Sequence, residues 1–356
     1  MYTRCKTIIR IALSFIAVSA LAIFLVLAKL AYPAAPGTSK SMNYEGFISL
    51  PKVGTLNVLD YITICKNMLF VTSESNGSVI RVDLVRSASP NAAIVTSFAG
   101  EGAAHAVVID PTSALAYVTR SEANTVDVFD PNTLTLIRHI PVADDPDGIF
   151  YDPASKEIYV ASGDAKLVTL IDPTKQETVA IIRLTGKPEF AAFDSQTGLF
   201  YQNLEDTNTV AAVNTLTRSV VQEWQLPGCK APSAMAIDTM DRRLFIACSH
   251  NARLLIFDLD AHQIISSIAI GGGPDAIAFD PGMHCLYIAG KSGILSVIQQ
   301  ESPDKYALID SIHTHYGAHT LALDLTTHRV YVGYASLFVA PRLAVFAPKA
   351  QVSNRE

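Results

Sequence analysis

Several signatures are missing from this 356-residue chain, and each absence removes a class of function. Lys and Arg do not cluster. With a formal net charge of −6 and a pI near 5.8, a nucleic-acid-binding surface has no electrostatic basis, and no nucleic-acid partner is expected. No G-x-S-x-G sequence is present, so the elbow that presents the nucleophile in many serine hydrolases has no counterpart. The five cysteines form neither a C-x-x-C pair nor a C-x-x-C-H haem attachment, which removes zinc-finger and haem readings. Gly290-Lys291-Ser292 resembles the end of a phosphate-binding loop, but Cys285 stands where that loop needs its first glycine, and the context is a turn between strands. Charge is scarce as well, at 17% against 49% hydrophobic residues. Such a chain can build a large core, and all-β chains of this length are commonly single domains.

What the chain has in abundance is repetition. From His105 to Pro141 run four short stretches of Val, Ile, Leu, Phe and Tyr, separated by turn residues at Asp110-Pro111, Ser121 to Asn124 and Asp130-Pro131-Asn132. That is the punctuation of a four-stranded antiparallel meander. One such sheet leaves a face bare, whereas copies stacked in a closed ring bury one another. The aromatic of the second strand recurs as Phe70, Tyr117, Tyr159, Tyr201, Phe245, Tyr287 and Tyr331, spaced 47, 42, 42, 44, 42 and 44 residues apart. Seven positions before it stand Asp110, Asp152, Asp194, Asp238, Asp280 and Asp324, with Thr63 in the first copy. The expected fold is all-β, a seven-bladed β-propeller of four-stranded antiparallel blades.

The ends of the chain predict how the ring closes. GFISLPKVGTLNVLDYI (residues 46–62) aligns with LIRHIPVADDPDGIFYD (residues 136–152), so Tyr44 to Pro51 reads as a fourth strand with no blade ahead of it. The last copy supplies only three strands, over His319–Asp324, Arg329–Gly333 and Arg342–Ala347. Gly46 to Leu50 is therefore expected to be the outermost strand of the last blade, which removes two exposed sheet edges. Ala192, Ala236, Ala278 and Ala322 occupy equivalent inner positions, where small side chains suit a crowded axis.

Ahead of the propeller, Arg4, Lys6 and Arg10 precede an apolar run from Ile11 to Ala28. This is a targeting segment, and its charge bias places the remainder of the chain outside the cytoplasm. It is either cleaved after Val26-Leu27-Ala28 as a signal peptide or retained as an anchor in the inner or plasma membrane, its eighteen residues nearly spanning a bilayer. Cys5 lies before the run, where no lipid-attachment cysteine would sit. The expected domains are residues 1–31 as signal peptide or anchor, 32–43 as a mobile Pro, Ala and Ser linker, 44–348 as propeller and 349–356 as tail. The location is periplasmic or extracellular, where cysteines can oxidise. Cys229 and Cys248 should lie near one face, either bridged or free; Cys65 and Cys285 read as small core residues.

AYVTRSEANTVDVFDPNT (Ala116 to Thr133) and IYVASGDAKLVTLIDPTK (Ile158 to Lys175), with the turns Pro146-Asp147-Gly148 and Pro274-Asp275-Ala276, resemble the YVTN-repeat propellers, the YncE-like group. The resemblance spans roughly residues 45–347. It implies the propeller fold and no shared catalytic set, because the motif residues occupy turns and cores.

Function is then expected where the copies differ, in the loops around the central channel. Five residues before the recurring Asp stand His105, Asp147, Glu189, Ser233, Asp275 and His319, with Val58 in the first copy. These are either solvated turn residues or a ligand-binding mouth. In the second case His105, Asp147, Glu189, Asp275 and His319 hold a divalent cation or a small polar ligand, mixed His and carboxylate sets favouring Zn or Cu and all-oxygen sets Ca. His313 and His315, on one face of an extended strand, form a second set with His319. These readings leave three function classes. The first is a monomeric exported binding or scaffold module for a small molecule or protein partner on the loop face. The second is a metal-dependent hydrolase resembling propeller lactonases, with Glu189, Asp147 and Asp275 as the carboxylates to test. The third is a redox or metal-handling protein using His105, His315 and His319, by analogy with propellers that hold copper.

Overall fold

The computed structural model describes residues 39–52, 58–84, 93–335 and 340–349. The expected signal peptide or anchor lies outside these residues, as does the tail beyond 349. No helix among the described residues is long and apolar enough to cross a membrane.

The described chain folds into seven four-stranded antiparallel sheets, β1–β28 in chain order. After β1 (Met42–Ser49), blade one is β2 (Leu59–Cys65), β3 (Met68–Ser73), β4 (Val79–Asp83) and β5 (Ile94–Phe98). Blade two is β6 (Ala104–Ile109), β7 (Ala116–Arg120), β8 (Thr125–Asp130) and β9 (Thr135–Pro141). The inner strands of the next four blades are β10 (Pro146–Asp152), β14 (Pro188–Asp194), β18 (Pro232–Asp238) and β22 (Pro274–Asp280). Blade seven holds β26 (Thr320–Asp324), β27 (Arg329–Tyr334) and β28 (Arg342–Pro348). All seven marker aromatics are buried on second strands, and seven apolar clusters among the described residues each seal one blade against the next. This is the mutual burial that a lone blade lacks.

The ring closes with the first strand. β1 pairs antiparallel with β28, Gly46 opposite Val345 through Ser49 opposite Arg342, and the Leu50 amide donates to the Pro341 carbonyl at 2.9 Å. Ile48 and Leu50 pack with Leu59, Val71 and Leu343 in the cluster that joins blade seven to blade one. The strand begins at Met42, inside the segment expected as linker. Asp310 Oδ2 accepts hydrogen bonds from the Lys40 amide at 2.6 Å and from the Ser39 hydroxyl at 2.7 Å, fixing the approach to β1.

The recurring Asp proves to be a turn device. Asp110, Asp152, Asp194, Asp238, Asp280 and Asp324 each accept a hydrogen bond from the amide two residues on, the Asx-turn geometry that ends an inner strand. Several also stitch blades together: Asp194 takes the Arg242 guanidinium at 2.6 Å and Asp280 takes His328 Nδ1 at 2.7 Å.

The first copy departs from the pattern in a way that corrects the alignment. Val108 pairs with Tyr117 in blade two, whereas Thr63 pairs with Phe70 in blade one. The β2–β3 hairpin is thus two residues shorter. Counting back from Phe70 overshoots by the same two residues, so Cys65, not Thr63, occupies the Asp position.

Candidate functional site

The same two-residue correction completes a ring. Asp60, not Val58, is the first blade's equivalent of His105, Asp147, Glu189, Ser233, Asp275 and His319. In the first six blades this residue sits at an irregularity in the pairing of the inner strand with its neighbour, for example between Leu59 and Ile62, Ala104 and Val107, and Pro146 and Ile149. A bulge re-aims a side chain that regular alternation would send elsewhere. Hydrogen bonds hold the bulged backbone: across the blade boundary Thr72 donates to the His105 carbonyl and Thr119 to that of Asp147 at 2.7 Å, while within blade four Gln202 donates to that of Glu189 at 2.8 Å.

Six of the seven residues point their chemistry into one funnel of about 760 Å³ at the loop end of the channel. Ser233 also lines it, but its hydroxyl is committed to the Pro274 carbonyl at 2.8 Å and serves the blade junction. Val58 lies apart, in a separate groove beside Tyr334. Glu74 and Glu205 join the funnel wall, so six carboxylates face two ammonium groups, Lys187 and Lys291. Lys291 Nζ is 2.9 Å from Asp275 Oδ2; Lys187 Nζ is 4.0 Å from Glu189 Oε1.

At one side of the ring, Asp60, His105 and Asp147 offer ligand atoms that all lie within 4.8 Å of one another, the one such group among the described residues. His105 Nδ1 is 2.6 Å from Asp60 Oδ2 and 3.6 Å from Asp147 Oδ1. Its Nε2 is 2.8 Å from the Ser121 hydroxyl. The rest of the ring does not join this group. His319 Nδ1 contacts the Gly317 carbonyl at 2.6 Å, leaving Nε2 at 3.9 Å from Asp275. The second histidine set is not brought together: His315 is buried, its ring stacked on Tyr334 at 4.9 Å and its Nδ1 on the Tyr316 carbonyl, while His313 is exposed at the end of β25 (Lys305–His313). A redox centre on His105, His315 and His319 therefore loses its geometric basis.

Burial and like charge shape the proton affinity of the funnel. Burial, then the charges of Asp147 and Glu205, push the Glu189 carboxyl from 4.5 up to about 9, Lys187 opposing only in part. Burial raises Asp147 to about 6 against the pull of His105. Burial also raises Asp60, although the His105 hydrogen bond opposes it, to about 8. Burial alone would lower His105; the Asp60 hydrogen bond and charge, with Asp147 and Glu74 behind it, hold the imidazole up at about 9. These groups titrate as a set, and the set keeps protons that isolated side chains would have lost.

Sequence reasoning missed Asp60, Glu74, Glu205 and Lys187 as funnel residues. Asp60 carried a signal in the short Lys66-Asn67 turn between two apolar runs, and Glu74 and Glu205 carried one as well, each standing four residues after its marker aromatic, Phe70 and Tyr201; Lys187 carried none. Cys229 and Cys248 are bridged, with Cα atoms 5.4 Å apart, immediately before Ser249 and His250 of the funnel wall. Cys65 and Cys285 are free thiols, half-buried and buried respectively.

Comparison with known proteins agrees with this architecture. Residues 84–322 match the family model of the YNCE-like beta-propeller. No curated protein matches the chain. Among solved structures, a chain of Kuenenia stuttgartiensis hydrazine synthase is similar at 18% identity and a TM-score of 0.69, covering 84% of this chain and 97% of that one. Selenomethionine-substituted virginiamycin B lyase from Staphylococcus aureus is similar at 12% identity and a TM-score of 0.68, covering 85% and 98%. Both likenesses concern the fold. The family match extends over more than half of the sequence, and the chain belongs to the YNCE-like beta-propeller family.

Proposed function

We propose that this propeller is an exported binding module whose loop-face funnel takes up a small, positively charged ligand. The observation that carries the reading is the charge imbalance: six carboxylates meet two lysines and the His105 imidazole in one concave site, and the charge of Asp147 adds to burial in raising the proton affinity of both Asp60 and Glu189. A cation placed among them would relieve that repulsion. Asp60, Asp147 and Glu189 would hold the charge, and the aromatic wall of Tyr61 and Phe190, stacked at 5.6 Å, would receive the apolar part of an organic cation. The Cys229–Cys248 bridge supports an oxidising location, periplasmic or extracellular.

A second reading rests on the Asp60, His105 and Asp147 group. One imidazole and two carboxylates suit Zn or Cu better than Ca, which prefers oxygen alone. A metal there would act as a Lewis acid in a hydrolase. Thermal-shift measurements at pH 8 separate the two. Stabilisation by alkylammonium ions, lost in D147N and E189Q, supports the organic-cation reading. Stabilisation by Zn or Cu, lost in D60N and matched by stoichiometric metal in elemental analysis, supports the metal reading. No shift with either panel refutes both.

A further inference from the structure

Ser121 lies on the turn between β7 and β8, and its hydroxyl oxygen is 2.8 Å from His105 Nε2. The other ring nitrogen, Nδ1, is 2.6 Å from Asp60 Oδ2. Three side chains from two blades thus form one hydrogen-bonded relay, Ser to His to Asp. In the neutral imidazole the carboxylate fixes the proton on Nδ1, which leaves Nε2 as acceptor for the serine hydroxyl. That connectivity activates a serine, and it is recognised by geometry and roles rather than by a sequence motif. The missing elbow motif is therefore no objection.

We propose that Ser121, His105 and Asp60 act as nucleophile, general base and orienting carboxylate in the hydrolysis of a small carboxylic ester. Accessibility is arranged accordingly: Ser121 is half-buried with exposed Glu122 and Ala123 beside it, while the side chains of His105 and Asp60 are only 15% and 16% exposed. Ser121 Oγ attacks the ester carbonyl carbon as its proton passes to His105 Nε2. The carbon–oxygen bond to the leaving group breaks and the alcohol departs with that proton. Water then attacks the acyl-serine, giving its proton to Nε2; the acid leaves and the serine recovers its hydrogen. Preference for an ester with a cationic end rests on the ligand reading above, through Asp147 and Glu189. The relay itself does not.

The charged groups facing His105 are Asp60 on β2, Asp147 on β10 and Glu74 just after β3. All are acidic, so each favours the imidazolium that forms when His105 takes the serine proton. The test uses the full chain and a fluorophosphonate: Ser121 Oγ bonds phosphorus, the phosphorus–fluorine bond breaks, fluoride leaves and the proton passes to His105. Peptide mass spectrometry is expected to find the label on Ser121, forming roughly a hundredfold slower in H105Q. In parallel, S121A is expected to abolish hydrolysis of 4-nitrophenyl acetate and acetylthiocholine. Hydrolysis of the neutral ester with no preference for acetylthiocholine supports the relay and counts against the cationic-ligand reading alone. Should H105Q fail to fold, S121A decides, since it removes one hydroxyl from a turn and its folding is checked by circular dichroism. No label on Ser121, labelling at the same rate in H105Q, or hydrolysis that survives in S121A overturns the proposal.

Discussion

Replacing Glu189 by Gln should stabilise the protein, and the size of the gain is set by the funnel. The side chain is only 19% exposed, and burial with the charges of Asp147 and Glu205 raises its carboxyl from 4.5 to about 9. Between those values the folded state keeps a proton that the unfolded chain has released, so stability falls as pH rises, by about 1.4 kcal/mol per pH unit. Below pH 4.5 the group costs nothing; by pH 7 it has cost about 3 kcal/mol, and the loss continues to about pH 9. Glutamine fills the same volume without titrating. Urea unfolding followed by circular dichroism from pH 5 to 9 should show E189Q and wild type together near pH 5. By pH 7 the variant should be about 2–3 kcal/mol more stable. Parallel pH profiles, or a variant less stable than wild type at pH 7, would refute the claim that burial and the neighbouring carboxylates hold the Glu189 proton.

Three further outcomes are expected from the fold. Ile48 in the closing strand is 2% exposed, and Ile48→Ala should cost about 3 kcal/mol in urea unfolding through the cavity left between blades seven and one; an effect below about 0.5 kcal/mol would mean that β1 does not seal the ring. The bridge between Cys229 and Cys248 spans 19 residues, so the double variant to Ala should lose about 3 kcal/mol, read as a lowered midpoint against the oxidised protein. Gly77 has φ +65, and a Cβ there would overlap the Gly102 carbonyl and press on the fully buried Arg120; Gly77→Ala should cost at least about 2 kcal/mol in thermal unfolding.

The fold was legible because a propeller blade is written locally. Period-two apolar runs, Asp-Pro and Asn turns and one marker aromatic recur in every copy, and the leftover strand at Gly46 to Leu50 has one vacancy to fill. The funnel was legible only through that repeat. Counting from the aromatic found His105, Asp147, Glu189, Asp275 and His319, but the count assumes equal hairpins. The two-residue deficit between Thr63 and Phe70 was enough to replace a carboxylate, Asp60, with Val58. Ser121 stands at the repeat position of Glu74 and Glu205, four residues after its marker aromatic Tyr117, but its partner His105 lies sixteen residues away across a strand pair, and no catalytic motif ties the two. His315 shows the converse, since strand alternation suggested a chelating face while packing set its ring against Tyr334.

The central claim, that crowded carboxylates at the channel mouth yield protons to take up a cation, is tested most directly by titration calorimetry at pH 7 in buffers of different ionisation enthalpy. Binding of an alkylammonium ion or of Zn should release protons, and the release should shrink in E189Q and D147N. No detectable binding, or binding without proton exchange that those substitutions leave unchanged, would contradict it.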